Sequence, residues 1–184
     1  QQMRLFELGG MLHTEVMPVP RTDISCLDEA RLTNYLKDIL RDPDVPGTPD
    51  AWQTRLLGLS FLTEVAGNVC CTIAGLVLYG KSPRRYLKQA GLRVMAFNGQ
   101  DKEYQALFDD IIDGPIVGRW DIDHGEKRLV DGGIIERFMD AMTPFLSQEA
   151  NQIDEGLRRE TKWFYPLEAV RESLINAIAH RDWT

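Results

Sequence analysis

The sequence predicts an α+β fold, in which a small mixed sheet packs with several helices and a C-terminal amphipathic helix. Three observations lead there. Apolar residues recur at helical spacing over 26–41, over 134–146 and after Pro166. Two apolar runs, 72–79 and 91–97, have the composition of strands. Helices and strands interleave, yet too few strand–helix–strand units occur to build a doubly wound sheet.

Along the chain, residues 3–20 form a short amphipathic opening with a proline-rich exit at Pro18-Val19-Pro20. Ser25 followed three residues later by Asp28 resembles a capping box and predicts a helix over 26–41, with Leu32, Tyr35, Leu36, Ile39 and Leu40 on one face. Pro43, Pro46, Gly47 and Pro49 make 42–50 a loop. A second helix is expected over 51–62, carrying Trp52, Leu56, Leu57 and Leu59. The almost wholly apolar run 72–79 predicts a strand buried on both faces, Gly80–Pro83 a turn, and 84–89 a short basic helix. Residues 91–97 predict a second strand, closed by Asn98-Gly99. For 103–112 two readings stand: a helix using Tyr104, Leu107, Phe108 and Ile111, or an edge strand; Gly114-Pro115 ends either. The most regular helix is 134–146, with Ile134, Phe138, Met142 and Phe145 on its stripe and Pro144 expected to kink or end it. Residues 157–164 alternate basic and bulky side chains, as a strand does.

Composition narrows the function classes. The 184 residues suit one domain, or one domain and part of another, and 43% hydrophobic content suffices for a packed core. A net charge of −7 and a pI near 5.0 argue against the segment as a whole being a DNA-binding surface, since that affinity comes from Lys and Arg neutralising phosphates. Cys26, Cys70 and Cys71 are odd in number and two are adjacent, which suggests reduced thiols in a cytoplasmic protein. Neither they nor His13 and His124 have zinc-ligand spacing. No apolar run is long enough for a membrane span, and 1–10 lacks the design of a signal peptide. Gln1-Gln2 before Met3 is an unusual start, so a preceding segment is expected.

Tyr165-Pro166 opens the last helix, where proline is tolerated because its missing N–H has no partner in a first turn. At about 100° per residue, Leu167, Val170, Leu174 and Ile178 share one face. Glu172, Asn176 and His180 follow one another at four-residue spacing on nearly the opposite face, flanked by the small Ala169, Ser173 and Ala177. A carboxylate one turn before an amide can orient a water while the amide oxygen joins a magnesium shell, which prefers oxygen ligands. The plainer reading is the polar outer face of an amphipathic helix.

The run Thr72-Ile-Ala-Gly75-Leu-Val-Leu-Tyr-Gly80-Lys-Ser-Pro83 and the ending Tyr165-Pro-Leu-Glu-Ala-Val-Arg-Glu172-Ser-Leu-Ile-Asn176-Ala-Ile-Ala-His180-Arg-Asp182-Trp-Thr together resemble a bacterial and archaeal family of transcriptional regulators. These are also described as ATP-dependent DNA helicases related to RecG. Asp113-Gly-Pro-Ile116 adds to the resemblance, which extends over nearly the whole chain. The resemblance implies a protein that contacts DNA through a Schlafen-type AlbA domain before this segment and ends in a domain similar to GHKL ATPases. On that pattern residues 1–50 are a helical linker after the AlbA-type domain, and 51–184 begin the ATPase-like domain. Glu172 matches a general base, Asn176 a Mg²⁺ and nucleotide ligand, and His180 a nucleotide-site position near the triphosphate lid. ATP and Mg²⁺ are then cofactors of the longer protein, whose glycine-rich boxes would follow Thr184, and the segment alone is expected to be inactive. Trp183-Thr184 departs from the family's usual Tyr-Ser. No phosphate loop of the helicase kind is present, since Gly80-Lys81-Ser82 matches only its last three residues.

Smaller clusters have two readings each. Lys81, Arg84, Arg85 and Lys88 suit phosphate, an acidic partner or solvent. Arg158, Arg159 and Lys162 beside Trp163, Phe164 and Tyr165 suit single-stranded nucleic acid or a plain edge strand. His124 with Asp121 and Asp123 resembles a weak metal loop or a surface turn. Finally, 134–146 could pair with a copy of itself, making the chain a homo-oligomerisation module.

Overall fold

The computed structural model describes residues 13–98, 105–123, 126–153 and 159–183. The first part of the expected amphipathic opening, Gly99, Tyr104, His124 and Arg158 lie outside them. The fold class is α+β with a C-terminal helix. In place of one mixed sheet, the described strands form four separate antiparallel pairs. Each pair is a local hairpin or a short-range return, so no parallel crossover arises.

The chain divides into two compact units, each assembled from separate stretches. The first comprises Gln1–Gly91, Asp113–Ile134 and Trp183–Thr184; the second comprises Leu92–Ile112 and Ile135–Asp182.

In the first unit, helix α1 (Glu29–Asn34) runs on through a π-type turn, Tyr35–Ile39. It starts later than 26 because Asp28, not Ser25, is its N-cap: the Asp28 carboxylate accepts from the N–H groups of Ala30 and Arg31 at 3.0 and 3.2 Å. Ser25 instead sits in a 3₁₀ turn, Ile24–Cys26, capped by Asp23. Helix α2 (Pro49–Gly58) has Thr48 as N-cap and proline at its first position. It stops short of 62 because Leu62–Val65 is a strand, β1, paired with β2 (Asn68–Cys71) across Ala66-Gly67. Both turn residues have positive φ, 52° and 79°, as the tight primed turns of hairpins require.

The strand expected over 72–79 is instead a helix, α3 (Ile73–Tyr79). An apolar run of this length does not distinguish a buried strand from a buried helix. Here the Thr72 hydroxyl accepts from the Gly75 N–H at 3.0 Å and starts a helix. Segment 17–28 then clamps both ends: Ile73 N–H to Met17 O at 3.1 Å, Val19 N–H to Cys71 O at 2.8 Å, Asp28 N–H to Tyr79 O at 2.8 Å and Lys81 N–H to Cys26 O at 2.9 Å. Burial of Leu76, Val77 and Tyr79 follows, and Tyr79 stacks obliquely with Tyr35 and Phe61 at 5.5 and 5.0 Å. The basic helix expected over 84–89 shrinks to a 3₁₀ turn, Pro83–Arg85. This core draws on both sides of position 50, from Leu27, Leu32 and Leu36 to Leu56, Leu62 and Leu76.

Residues 113–134 return to this unit. Ile116 N–H bonds Val77 O at 3.0 Å, and Arg31 reaches across to Val117 O at 2.6 Å and to Asp131. Strands β5 (Arg119–Asp123) and β6 (Glu126–Asp131) form the hairpin there, with a register shift at Arg119/Trp120.

In the second unit, β3 (Leu92–Ala96) alternates buried Leu92, Val94 and Ala96 with exposed Arg93 and Met95. It pairs with β4 (Phe108–Ile112), which decides the 103–112 ambiguity in favour of a strand over 108–112. Helix α4 (Ile134–Leu146) has the expected bounds, and Pro144 lies within it, two residues before its end. Phe108 of β4 and Phe145 of α4 meet at 5.6 Å between ring centres. Strands β7 (Ser147–Ile153) and β8 (Arg159–Trp163) pair, and α5 (Leu167–Ala179) follows.

Gly75 makes α3 possible where it is. A Cβ there would lie 2.2 Å from the Phe61 carbonyl oxygen, which is backbone and cannot step aside. Gly75→Ala is therefore expected to destabilise the chain by on the order of 3 kcal/mol. Gly58→Ala, whose Cβ meets nothing within 4 Å, should be neutral or stabilise by up to about 1 kcal/mol; urea denaturation compares the two. In the same experiment Arg31→Met, which removes a guanidinium only 2% exposed, should cost about 2–4 kcal/mol, its partners being partly solvated.

Candidate functional site

Helix α5 begins after Pro166, which offers no side-chain cap. Its placement comes from packing: Leu174 and Ile178 are buried at 7% exposure each, while Leu167 and Val170 are half-buried. An ion pair from Arg171 to Glu136 at 3.3 Å ties it to α4. With that face committed, Glu172 and Asn176 lie on the exposed face, one turn apart. His180 follows as the C-cap, one residue beyond the last helical position, its N–H bonded to Asn176 O at 3.0 Å. Among the described residues, neither the Glu172 carboxylate nor the Asn176 amide makes a side-chain hydrogen bond or ion pair.

The small residues beside that stripe do more than leave space. Ala169 and Ser173 line an open apolar groove with Phe138, Tyr165, Pro166, Val170 and Leu174. Ser173 turns its hydroxyl back to Ala169 O at 2.7 Å, so it is not presented as a nucleophile. Glu172 and Asn176 together offer oxygen donors of the kind a magnesium ion accepts while keeping several waters. The two side chains fit such an ion in chemistry, and a nucleotide would need further walls.

The other clusters sort differently. Gly80-Lys81-Ser82 follows a helix, not the strand that a phosphate loop requires. Lys81 donates to Ser25 O at 2.9 Å, and the Arg85 guanidinium lies over Tyr86 at 5.8 Å. Trp163, Phe164 and Tyr165 are all exposed, at 38, 54 and 60%. Asp121 is exposed and its carboxylate accepts from Ile122 N–H; His124, its expected companion, lies outside the described residues. Among those residues no group of three His, Cys, Asp or Glu is gathered, and no helix is long and apolar enough to cross a membrane. No family model, curated protein or solved structure matches the chain.

All three cysteines carry free thiols. Cys71 is fully buried beside Thr22 and the Asp23 carbonyl, whereas Cys26 and Cys70 are half-buried. Burial pushes the Cys71 thiol up from its ordinary 9.0 to about 12, and the Thr22 contact offsets only part of that. Burial raises the Tyr79 phenol as well. An acid whose folded pKa lies above its unfolded one stabilises the fold below the unfolded value and loses that contribution as pH climbs to the folded one. The contribution of these two groups to stability should therefore be level up to about pH 9 and decline from there towards pH 12. Cys71→Ala should flatten the decline without removing the Tyr79 share, as measured by urea midpoints across the alkaline range.

Proposed function

We propose that this chain is a connector and one wall of a nucleotide-binding domain in a cytoplasmic, DNA-linked transcriptional regulator of the RecG-related kind. The observation that carries this reading is the line of Glu172, Asn176 and His180 on the free side of α5, opposite the buried Leu174 and Ile178. The resemblance of 72–83 and 165–184 to that family's motifs supports the reading. In this reading Asn176 would hold Mg²⁺, Glu172 would take a proton from water, and His180 would stand near the phosphates of a bound nucleotide. ATP with Mg²⁺ supplies the activated phosphoryl group. DNA contact belongs to an AlbA-type domain, in keeping with the net charge of −7 here.

An exposed carboxylate–amide pair on one helix binds too little of a nucleotide to hold it. Calorimetric titration of the 184-residue chain with ATP and Mg²⁺ should accordingly give no micromolar binding. In a longer protein carrying the glycine-rich boxes, Glu172→Ala should reduce turnover by a factor on the order of 10² or more, while Glu168→Ala leaves it intact. Unchanged turnover in Glu172→Ala would remove the assigned base.

A further inference from the structure

The first unit contains a cavity of about 360 Å³ that shares no residue with α5. Its walls include Leu27, Leu32, Trp52 and Leu56, each 5% exposed or less, so they belong to the core and are held in place by it. Two side chains of opposite charge, Glu29 and Lys81, stand on its lining. Both are exposed, and among the described residues neither forms an ion pair. The loop bearing Lys81 is fixed from two sides, by its own N–H on Cys26 O and by its ammonium on Ser25 O, both at 2.9 Å. That second bond uses one of the three ammonium donors. Glu29 is fixed as the first residue of α1, behind the Asp28 cap.

An apolar recess lined by a carboxylate and an ammonium that form no ion pair among the described residues is complementary to a molecule with an apolar body and both charges. The volume lies near the lower end of ligand pockets, about 300–1,000 Å³, which suits a ligand of one residue. We propose that this cavity binds a free amino acid with a large apolar side chain. Its carboxylate meets Lys81, its ammonium meets Glu29, and its side chain lies against Trp52.

Trp52 makes the site directly observable. With the chain labelled with fluorotryptophan, fluorine NMR gives a resonance for each tryptophan, and Trp52→Phe identifies the one in question. L-phenylalanine should move the Trp52 resonance saturably, with a dissociation constant on the order of 0.1–1 mM for so small a ligand. Phenylpropionate, lacking the ammonium, and phenethylamine, lacking the carboxylate, should each bind roughly tenfold more weakly. Lys81→Met should bring phenylalanine down to the level of phenethylamine, and Glu29→Gln should bring it down to the level of phenylpropionate. Both substitutions fall on exposed side chains and should leave the other tryptophan resonances in place. A Trp52 resonance that none of the three probes moves at millimolar concentration would overturn the proposal. So would equal binding of all three, or a ranking that neither variant alters.

Discussion

Arg31 holds a full positive charge at 2% exposure, a position tolerable only where its donors are met. Its guanidinium bonds the Asp28 carboxylate at 3.2 Å, Val117 O at 2.6 Å, Asp131 O at 3.2 Å and the Asp131 carboxylate. One end of this network is the helix cap that starts α1; the other is the stretch of chain that comes back after β4. Asp28 thus serves two purposes, terminating the backbone of α1 and neutralising the side chain that reaches out from it. The planar fork of arginine suits this better than an ammonium would, since its three nitrogens each donate to partners here. Around this point the first unit acquires its second layer: Ile116 pairs with Val77, Asn34 accepts from Trp120 N–H, and β5 and β6 extend from there.

Where the sequence could be read for structure, period and length agreed. The stripe of α4 and the apolar run over 91–97, closed by Asn98-Gly99, both led to elements that lie where expected. The stripe of α5 likewise separates Leu174 and Ile178 from Glu172 and Asn176. The run 72–79 has no alternation to read, and its helical state depends on Thr72 capping Gly75 and on the close pass of Phe61, which lies a hairpin away in sequence. The hairpin itself carried a local signal, Ala66-Gly67 between two apolar-bearing stretches, but alanine at positive φ is uncommon enough to hide it. The separation into strand pairs was not legible at all, because it depends on which hairpins find a neighbour and not on the composition of any one strand.

The candidate sites differ in the same way. Glu172, Asn176 and His180 lie within one helix, so their shared face follows from spacing alone. The recess at Trp52 is assembled from 24–32, 47–56 and Lys81, residues with no common period or motif. Only the packing of α1, α2 and the turn after α3 brings them to one place. In the sequence Lys81 stands with Arg84 and Arg85, whereas its position in the fold sets it against Ser25 and on the lining that also includes Glu29.

The interleaving of the two units has a temporal consequence. A chain made from its N-terminus reaches Gly91 with most of the first unit's residues in hand, but Val117 and Asp131 are not yet synthesised. At about 5–20 residues per second, the gap from residue 91 to residue 134 lasts roughly 2 to 9 s. Until Val117 has been made Arg31 has only Asp28 as a partner, and its charge must stay hydrated. The buried side of α1 therefore stays open until the stretch after β4 emerges, so the first unit cannot close before β3 and β4 of the second have been made.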